Sequence, residues 1–268
     1  MFAQDEIALA PGVRLTAGLK AEHNSYTGLE WLPNLRLAWQ PMADHLMWAA
    51  ASRAVRTPAR VDRDTSVPGV LQSNPAFESE VARVFELGWR GQPRNALSYS
   101  VTLFHHQFER LRSVDQLPGT LLFGNNYQGR LSGVEAWGSW RLAPQWRLQA
   151  GFAHQKLRLD AVAGSPATAG SAAQLGNDPQ NRGQLALGWD LAHNMEVDLQ
   201  VRYVGALPDP VVPSYTAVDL RWAWRIRPDL ELSLAARNLG DPLHTEWGAA
   251  GSRAEIPRSF LLKAVWRL

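Results

Sequence analysis

The sequence predicts an all-β fold, an antiparallel transmembrane β-barrel, and three observations predict it. Apolar and polar residues alternate with a period of two along most of the chain. Short turns alternate with longer polar connections, and tryptophan recurs beside the short turns. Successive side chains of a strand point to opposite faces, so this period sorts the sequence into one apolar and one polar surface. A wall with lipid on one side and water on the other requires that division.

The elements follow in chain order. Residues 5–10 make a weak first strand, ended by Pro11-Gly12. Residues 13–24 set Val13, Leu15, Ala17 and Leu19 against Arg14, Thr16, Gly18 and Lys20. Strands at 34–40 and 45–56 flank the turn Pro41 to Asp44, and strands at 78–90 and 96–111 flank Gly91 to Asn95. Strands at 125–142 and 146–159 meet at Ala143 to Gln145. Residues 182–191 lead into Ala192 to Asn194. Residues 195–204 then place Met195, Val197, Leu199, Val201 and Tyr203 opposite Glu196, Asp198, Gln200 and Arg202. Residues 215–226 separate Val218, Leu220, Trp222, Trp224 and Ile226 from Asp219, Arg221, Ala223 and Arg225. After Arg227 to Asp229, residues 230–238 repeat the pattern with Leu230, Leu232 and Leu234 against Glu231 and Ser233, and 258–268 is the last strand. The total is about 12–13 strands. Many reach about ten residues, the length of a tilted membrane strand.

The longer connections are 57–77, 112–124, 160–181, 205–214 and 239–257, rich in Gly, Pro and Ser. Short turns on one rim and long loops on the other are the layout of an outer-membrane barrel. Trp39, Trp48, Trp89, Trp140, Trp146, Trp189, Trp224 and Trp266 all lie within a few residues of a short turn or of the C-terminus. They are expected to form one aromatic girdle, because indole pairs an apolar body with one N–H donor and suits a membrane–water boundary.

Composition narrows the function classes. The net charge of +2 comes from scattered residues, so no basic patch for nucleic acid is expected. The absence of cysteine excludes disulfides and thiolate metal sites. No apolar run approaches the roughly 20 residues of a membrane helix, which leaves barrel strands untouched as a possibility. The opening Met1-Phe2-Ala3-Gln4-Asp5-Glu6 shows no export signal, which for a barrel suggests a missing upstream segment or a mature fragment.

No phosphate loop, nucleophile elbow or paired-His metal motif occurs, so no catalytic group, cofactor or metal is expected. His105 and His106 are adjacent in a strand and should face opposite sides. His244 and Glu246 would share a face if extended, although a loop is expected there. The charged alternate positions Arg36, Glu135, Arg141, Asp198, Arg202, Asp219, Arg221 and Arg237 are expected to line a polar, hydrated lumen. On this reading Leu199→Arg or Leu220→Arg hinders insertion, whereas Gln200→Ala and Arg221→Ala are mild.

Ser52-Arg53-Ala54-Val55-Arg56-Thr57-Pro58 resembles the mid-barrel signature of TonB-dependent outer-membrane receptors. Asn238-Leu239-Gly240-Asp241-Pro242, followed by His244, Glu246 and Trp247, is similar to the stretch before that family's last strand. Glu255 to Ser259, leading into Phe260 to Leu268, is similar to its final strand, although the family's terminal residue is usually aromatic.

The resemblance implies a barrel of about 22 strands filled by an N-terminal plug. It makes residues 1–268 the C-terminal segment of that barrel, without the plug. It implies a bacterial outer-membrane location, contact with outer-membrane lipid, coupling to the TonB complex through the plug, and energised uptake of a ferric siderophore or other scarce nutrient. Loops 57–77, 112–124 and 160–181 are then the expected ligand contacts. The alternative is a smaller stand-alone barrel acting as a passive channel or barrel enzyme. A soluble β-protein is a third reading.

Overall fold

The computed structural model describes residues 1–168 and 176–267. Four strands open the chain: β1 (Phe2–Ala10), β2 (Val13–Asn24), β3 (Gly28–Met42) and β4 (His45–Arg56). A single helical turn, α1 (Arg60–Arg63), and the two-residue β5 (Leu71–Gln72) follow. Then come β6 (Glu80–Arg94), β7 (Leu97–Leu117), β8 (Thr120–Ala143), β9 (Trp146–Ala161), β10 (Asn181–Ala192) and β11 (Met195–Val204). The remainder is β12 (Leu207–Pro208), β13 (Val211–Val212), β14 (Tyr215–Arg227), β15 (Leu230–Arg237), β16 (Leu243–Thr245), β17 (Glu255–Pro257) and β18 (Ser259–Trp266).

The main sheet runs β1-β2-β3-β4-β6-β7-β8-β9-β10-β11-β14-β15-β18, so each of the thirteen long strands expected from alternation is present and neighbours the next in sequence. The fold class is therefore all-β and antiparallel, as expected. β5 adds one short parallel pairing to β8, and β12-β13 and β16-β17 form separate two-stranded ribbons.

Two connections differ from expectation. The strand expected at 34–40 begins at Gly28, so the β2–β3 link is a tight turn whose Gly28 has φ +72°. Residues 112–124 are not a loop. β7 has 21 residues and β8 has 24, and they turn at Pro118 and Gly119, the latter at φ +76°. Both strands far exceed the roughly 9–11 residues that span a bilayer. Their outer parts interrupt the alternation, with Leu121, Leu122 and Phe123 consecutive in β8 and Ser113, Asp115, Asn125 and Asn126 polar, and hydrogen bonds between the two strands join them.

The chain forms two compact units. The first comprises Met1–Trp89, Thr102–Val134 and Lys156–Gly176. Its small core takes Phe77 from the segment before β6, Val81 from β6 and Tyr127 from β8, and Asp62 of α1 and Ser113 and Asp115 of β7 are also buried. On the strands the burial is inverted. Leu29, Trp31, Leu35, Leu37 and Trp39, alternate residues of β3, are each 41–53 % exposed. The second unit comprises Arg90–Val101, Glu135–Gln155 and Asn177–Leu268. There the large apolar Phe260 and Leu262 are 68 % and 74 % exposed, while Ala217, Ala223 and Ser233 on the polar face are buried. Exposed apolar surface on this scale marks contact with lipid or protein. No helix among the described residues is long and apolar enough to cross a membrane.

Candidate functional site

Strand register decides which side chains share a face. In the second unit Leu199 lies opposite Leu187 and Leu220, Val197 opposite Trp189 and Trp222, and Met195 opposite Trp224. Trp224 in turn faces Leu232, and Leu230 faces Trp266. Trp146 pairs with Trp189, and their rings stack at 4.8 Å with an 8° interplanar angle. Trp266 donates its indole N–H to Asp229 at 2.9 Å, tying the last strand to a short turn. Trp140 alternates with Ser139 and Arg141 and so takes the face opposite theirs. In the first unit Trp39 lies between Val13 and Met47, and Trp89 donates to His45 at 3.3 Å. These seven indoles share the apolar faces of their units near the short turns.

Trp48 departs from the expected set. It lies opposite Ala38, on the face that carries Arg36, and the Arg36 guanidinium sits over its ring at 5.0 Å. Strand parity puts it there, and Gly88 makes room for the ring, because a Cβ on Gly88 would collide with the Trp48 indole. Trp31 occupies the other end of the apolar face of β3, four side-chain rows from Trp39. At about 3.3 Å per residue and a tilt of about 45°, that separation is about 19 Å of height, roughly three quarters of the ~25 Å lipid-facing band.

Charged residues pair with one another along the polar face of the second unit. Arg221 lies opposite Asp198 and Ala235. Its guanidinium binds Glu196, Asp198 at 2.8 Å and Glu231 at 3.5 Å, so one cation holds three carboxylates from two strands. Arg147 pairs with Asp190 at 2.5 Å. Asp219 accepts the backbone N–H of Asn238 at 2.8 Å, and Arg237 lies opposite Ser259. Arg141 lies two residues beyond Ser139 in β8, and Ser139 hydrogen-bonds Ser98 at 2.8 Å. A cavity of about 600 Å³ lies against Asp198, Arg202, Asp219, Arg221 and Arg237.

Residues of the expected signature fix the long-connection end. Ser52 lies opposite Asn34. Arg53 donates to the Trp31 carbonyl at 2.6 Å and to Glu30 at 3.2 Å. Arg56 binds Glu80 with two nitrogens and Asp62 with a third at 3.2 Å, just before buried Pro58 turns the chain away. Asp62 reaches back to the Ala59 N–H at 2.9 Å, which caps α1, and also approaches Arg112 at 3.4 Å. Asn238 has φ +55°, a conformation asparagine tolerates, and its side chain donates to the Ile256 carbonyl at 3.2 Å. Hydrophobic patterning carries no signal for Asp62 or Glu80, whose partners lie across the fold.

The expected ligand loops are tied to one another. Asn74 donates to the Phe123 carbonyl at 2.8 Å, and Glu78 N–H donates to Asn125 at 2.7 Å. Tyr127 donates its hydroxyl to the Thr168 carbonyl at 2.8 Å, and Gln116 N–H donates to the Pro166 carbonyl at 2.9 Å. The β7–β8 hairpin is thus the post on which segments of 57–77 and of 160–168 rest. Residues 169–175 of the expected loop 160–181 lie outside the described residues.

His105 engages Ser132 at 2.7 Å, whereas His106 lies 5.3 Å from the Phe104 ring and 6.2 Å from that of Phe108. His244, in β16, stacks on Tyr215 at 4.2 Å and contacts Glu246 at 3.3 Å, a pairing the sequence left to a loop. Burial opposes ionisation of Glu246, but hydrogen bonds from His244 and Tyr215 and the charge of Arg202 outweigh it and hold the carboxyl below its ordinary value.

Residues 1–239 match the family described as TonB dependent receptor-like, β-barrel. A ferric enterobactin receptor of Pseudomonas aeruginosa is 32 % identical over 77 residues, which are 29 % of this chain and 9 % of that protein. Among solved structures, the ferric enterobactin receptor PfeA of P. aeruginosa, in complex with BCV-L6, superposes with TM-score 0.78 at 18 % identity, over 99 % of this chain and 44 % of its own. The Ferric-Catecholate import receptor Fiu of E. coli K12 gives 0.77 at 16 % identity, over 99 % and 44 %. The siderophore receptor PirA of P. aeruginosa gives 0.72 at 16 %, over 100 % and 46 %. The chain therefore spans less than half the length of each.

Proposed function

Because the chain belongs to the TonB-dependent receptor-like β-barrel family, we propose that it forms the C-terminal part of the wall of an outer-membrane receptor for energised uptake of a ferric siderophore. The carrying observation is the inverted burial: rows of Leu, Trp and Phe are exposed on one face while ion-paired Arg, Asp and Glu occupy the other. Lipid covers the first face, and the seven indoles form a girdle at the short-turn rim. The second face lines the lumen, where its charges hold water or a lumen-filling domain. Uptake in such a receptor needs binding and a pull from TonB, not bond chemistry.

An antiparallel cylinder of a bacterial single chain has an even number of strands. Thirteen therefore need an odd number of further strands, which favours the receptor reading over a stand-alone channel or barrel enzyme. The segments braced on the β7–β8 hairpin form the ligand-contacting rim. Deleting 57–77, shortening the hairpin at 112–124 and deleting 160–181, each in the receptor that contains this chain, tests the assignment. Loss of ferric siderophore binding, with TonB-dependent iron uptake in the unaltered receptor, is the expected result. Undiminished binding in all three, or uptake independent of TonB, would remove it.

A further inference from the structure

Where the apolar face of the first unit gives out, it turns basic. Along β6 the exposed Trp89, Leu87 and Phe85 share their face with Arg83, and along β7 the exposed Leu103 shares its face with His105, Gln107 and Glu109. Arg83 and Glu109 are ion-paired, which joins the two strands on that side. His105 hydrogen-bonds Ser132 at 2.7 Å, so Ser132 of β8 belongs to the same face. Arg130, two residues away, points the same way. Gly129, beside it, faces the other way, where a Cβ would meet Leu159 and Leu111.

The Val162 N–H donates to the Asn126 carbonyl at 2.8 Å, which fixes the register of β8 against β9 in this unit. Counted back from that pair, Leu159 lies opposite Gly129, as their contact requires, Arg158 opposite Arg130, and Lys156 opposite Ser132. Two like charges directly opposite each other destabilise a strand pair. Arg130, Arg158 and Lys156 are all exposed, and none has an ion pair among the described residues. Glu109 is taken by Arg83, and Asp160, one pair further out, bonds neither arginine. By contrast, Arg147 and Arg221 in the second unit each hold a carboxylate.

Three cations without a protein partner therefore stand directly beyond the apolar rows, on the side away from the short turns. Headgroups of a lipid leaflet lie at that boundary. An anion shared by the two arginines would relieve their repulsion, and a guanidinium matches phosphate with paired N–H bonds. We propose that Arg130, Arg158 and Lys156 bind the phosphate headgroup of an anionic membrane lipid whose chains lie on the apolar rows. This rests on the reading of that face as lipid-facing. A soluble phosphate would use the same cations without the apolar rows.

The test uses the full 268-residue chain in phosphatidylcholine bilayers. These contain a minor share of brominated phosphatidic acid or, separately, the same share of brominated phosphatidylcholine. Because the chain has no cysteine, Leu103→Cys carries a single dye beside the cations. Quenching should show phosphatidic acid enriched around the dye by roughly fivefold or more. Arg130→Gln with Arg158→Gln should remove that excess. Arg158→Glu alone should also remove it while replacing the repulsion by a cross-strand pair, so its loss does not reflect unfolding. Arg14→Gln with Lys20→Gln, an equal loss of charge on the polar face, should leave the excess in place. An excess that survives either substitution at Arg158, or that the polar-face pair removes equally, overturns the proposal. So does displacement by inorganic phosphate equimolar with the phosphatidic acid, which would assign the cations to a soluble anion. Equal quenching by the two lipids removes this inference alone; absence of quenching by either removes the lipid-facing reading with it.

Discussion

The Arg56 guanidinium grips the Glu80 carboxylate through two bonds, Nε to Oε2 at 2.6 Å and the second terminal nitrogen to Oε1 at 3.0 Å, while its remaining nitrogen reaches Asp62 at 3.2 Å. Glu80 is 24 residues away, at the start of the next long strand. Arg56 therefore joins the end of one strand, the turn that leaves it and the strand to which the chain returns.

Arg56→Ala should loosen this end without dissolving the sheet. The Asp62 side chain is fully buried and, among the described residues, would keep only Arg112 as a cationic partner. A buried acceptor deprived of a partner costs about 1–3 kcal/mol, and the half-exposed position of Arg56 favours the lower part of that range. Faster proteolysis within 57–79, with unchanged β-sheet circular dichroism, is the expected outcome. Arg56→Lys should recover little, because an ammonium cannot make the paired bonds.

Leu199 and Leu220 lie opposite each other on the apolar face. Arginine at either position should cost about 2–4 kcal/mol in bilayers, read from urea titrations of lipid-inserted chain. Gln200→Ala, one residue along and on the polar face, should change little. Equal sensitivity of the two faces would contradict the lipid-facing assignment.

Arg221→Ala was expected to be mild from alternation alone, and the structure reverses that expectation. Removing Arg221 leaves Glu196, Asp198 and Glu231 as neighbouring like charges. Destabilisation that shrinks as salt is added should follow. Glu231→Gln in the Arg221→Ala background should restore part of the loss.

Gly88→Ala should disturb Trp48 more than a surface methyl would, because the added carbon meets the indole. The expected cost is about 1–3 kcal/mol, with a change in tryptophan emission. Trp48→Ala should relieve the effect of Gly88→Ala, so the double variant should be less than additive.

The contact of Glu246 with His244 and Arg202 should depend on acid. A carboxyl held below its unfolded value stabilises the fold above that value, and the contribution disappears as pH falls through the folded value. Opening at 243–246, read as the hydrogen-exchange rate relative to the intrinsic rate at each pH, should be steady from neutral pH down to about pH 5 and should rise below about pH 4, the ordinary carboxylate range. Glu246→Gln should flatten that rise.

Much of the fold was legible because alternation is a local property. Leu220 and Arg221 take opposite faces wherever the strand goes, so face assignment along β14 followed from adjacency alone. The outer parts of β7 and β8 were illegible for the complementary reason. Ser113, Asp115, Asn125 and Asn126 are polar, and their strand conformation depends on one another and on Glu78 across the fold. Trp48 was misplaced because proximity to a turn carries no information about face, whereas parity with Arg36 does.

By itself, the sequence determined the run of long alternating strands, their apolar and polar sides and most of the short turns between them. Each is written in residues a few positions apart and enforced by backbone geometry. Only the tertiary structure decided that Arg221 holds three carboxylates, that Arg56 finds Glu80, and that Arg130 confronts Arg158. Those pairings join residues far apart in the chain. Strand register brings them within a few ångströms, and hydrophobic periodicity is blind to which opposite charge a register delivers.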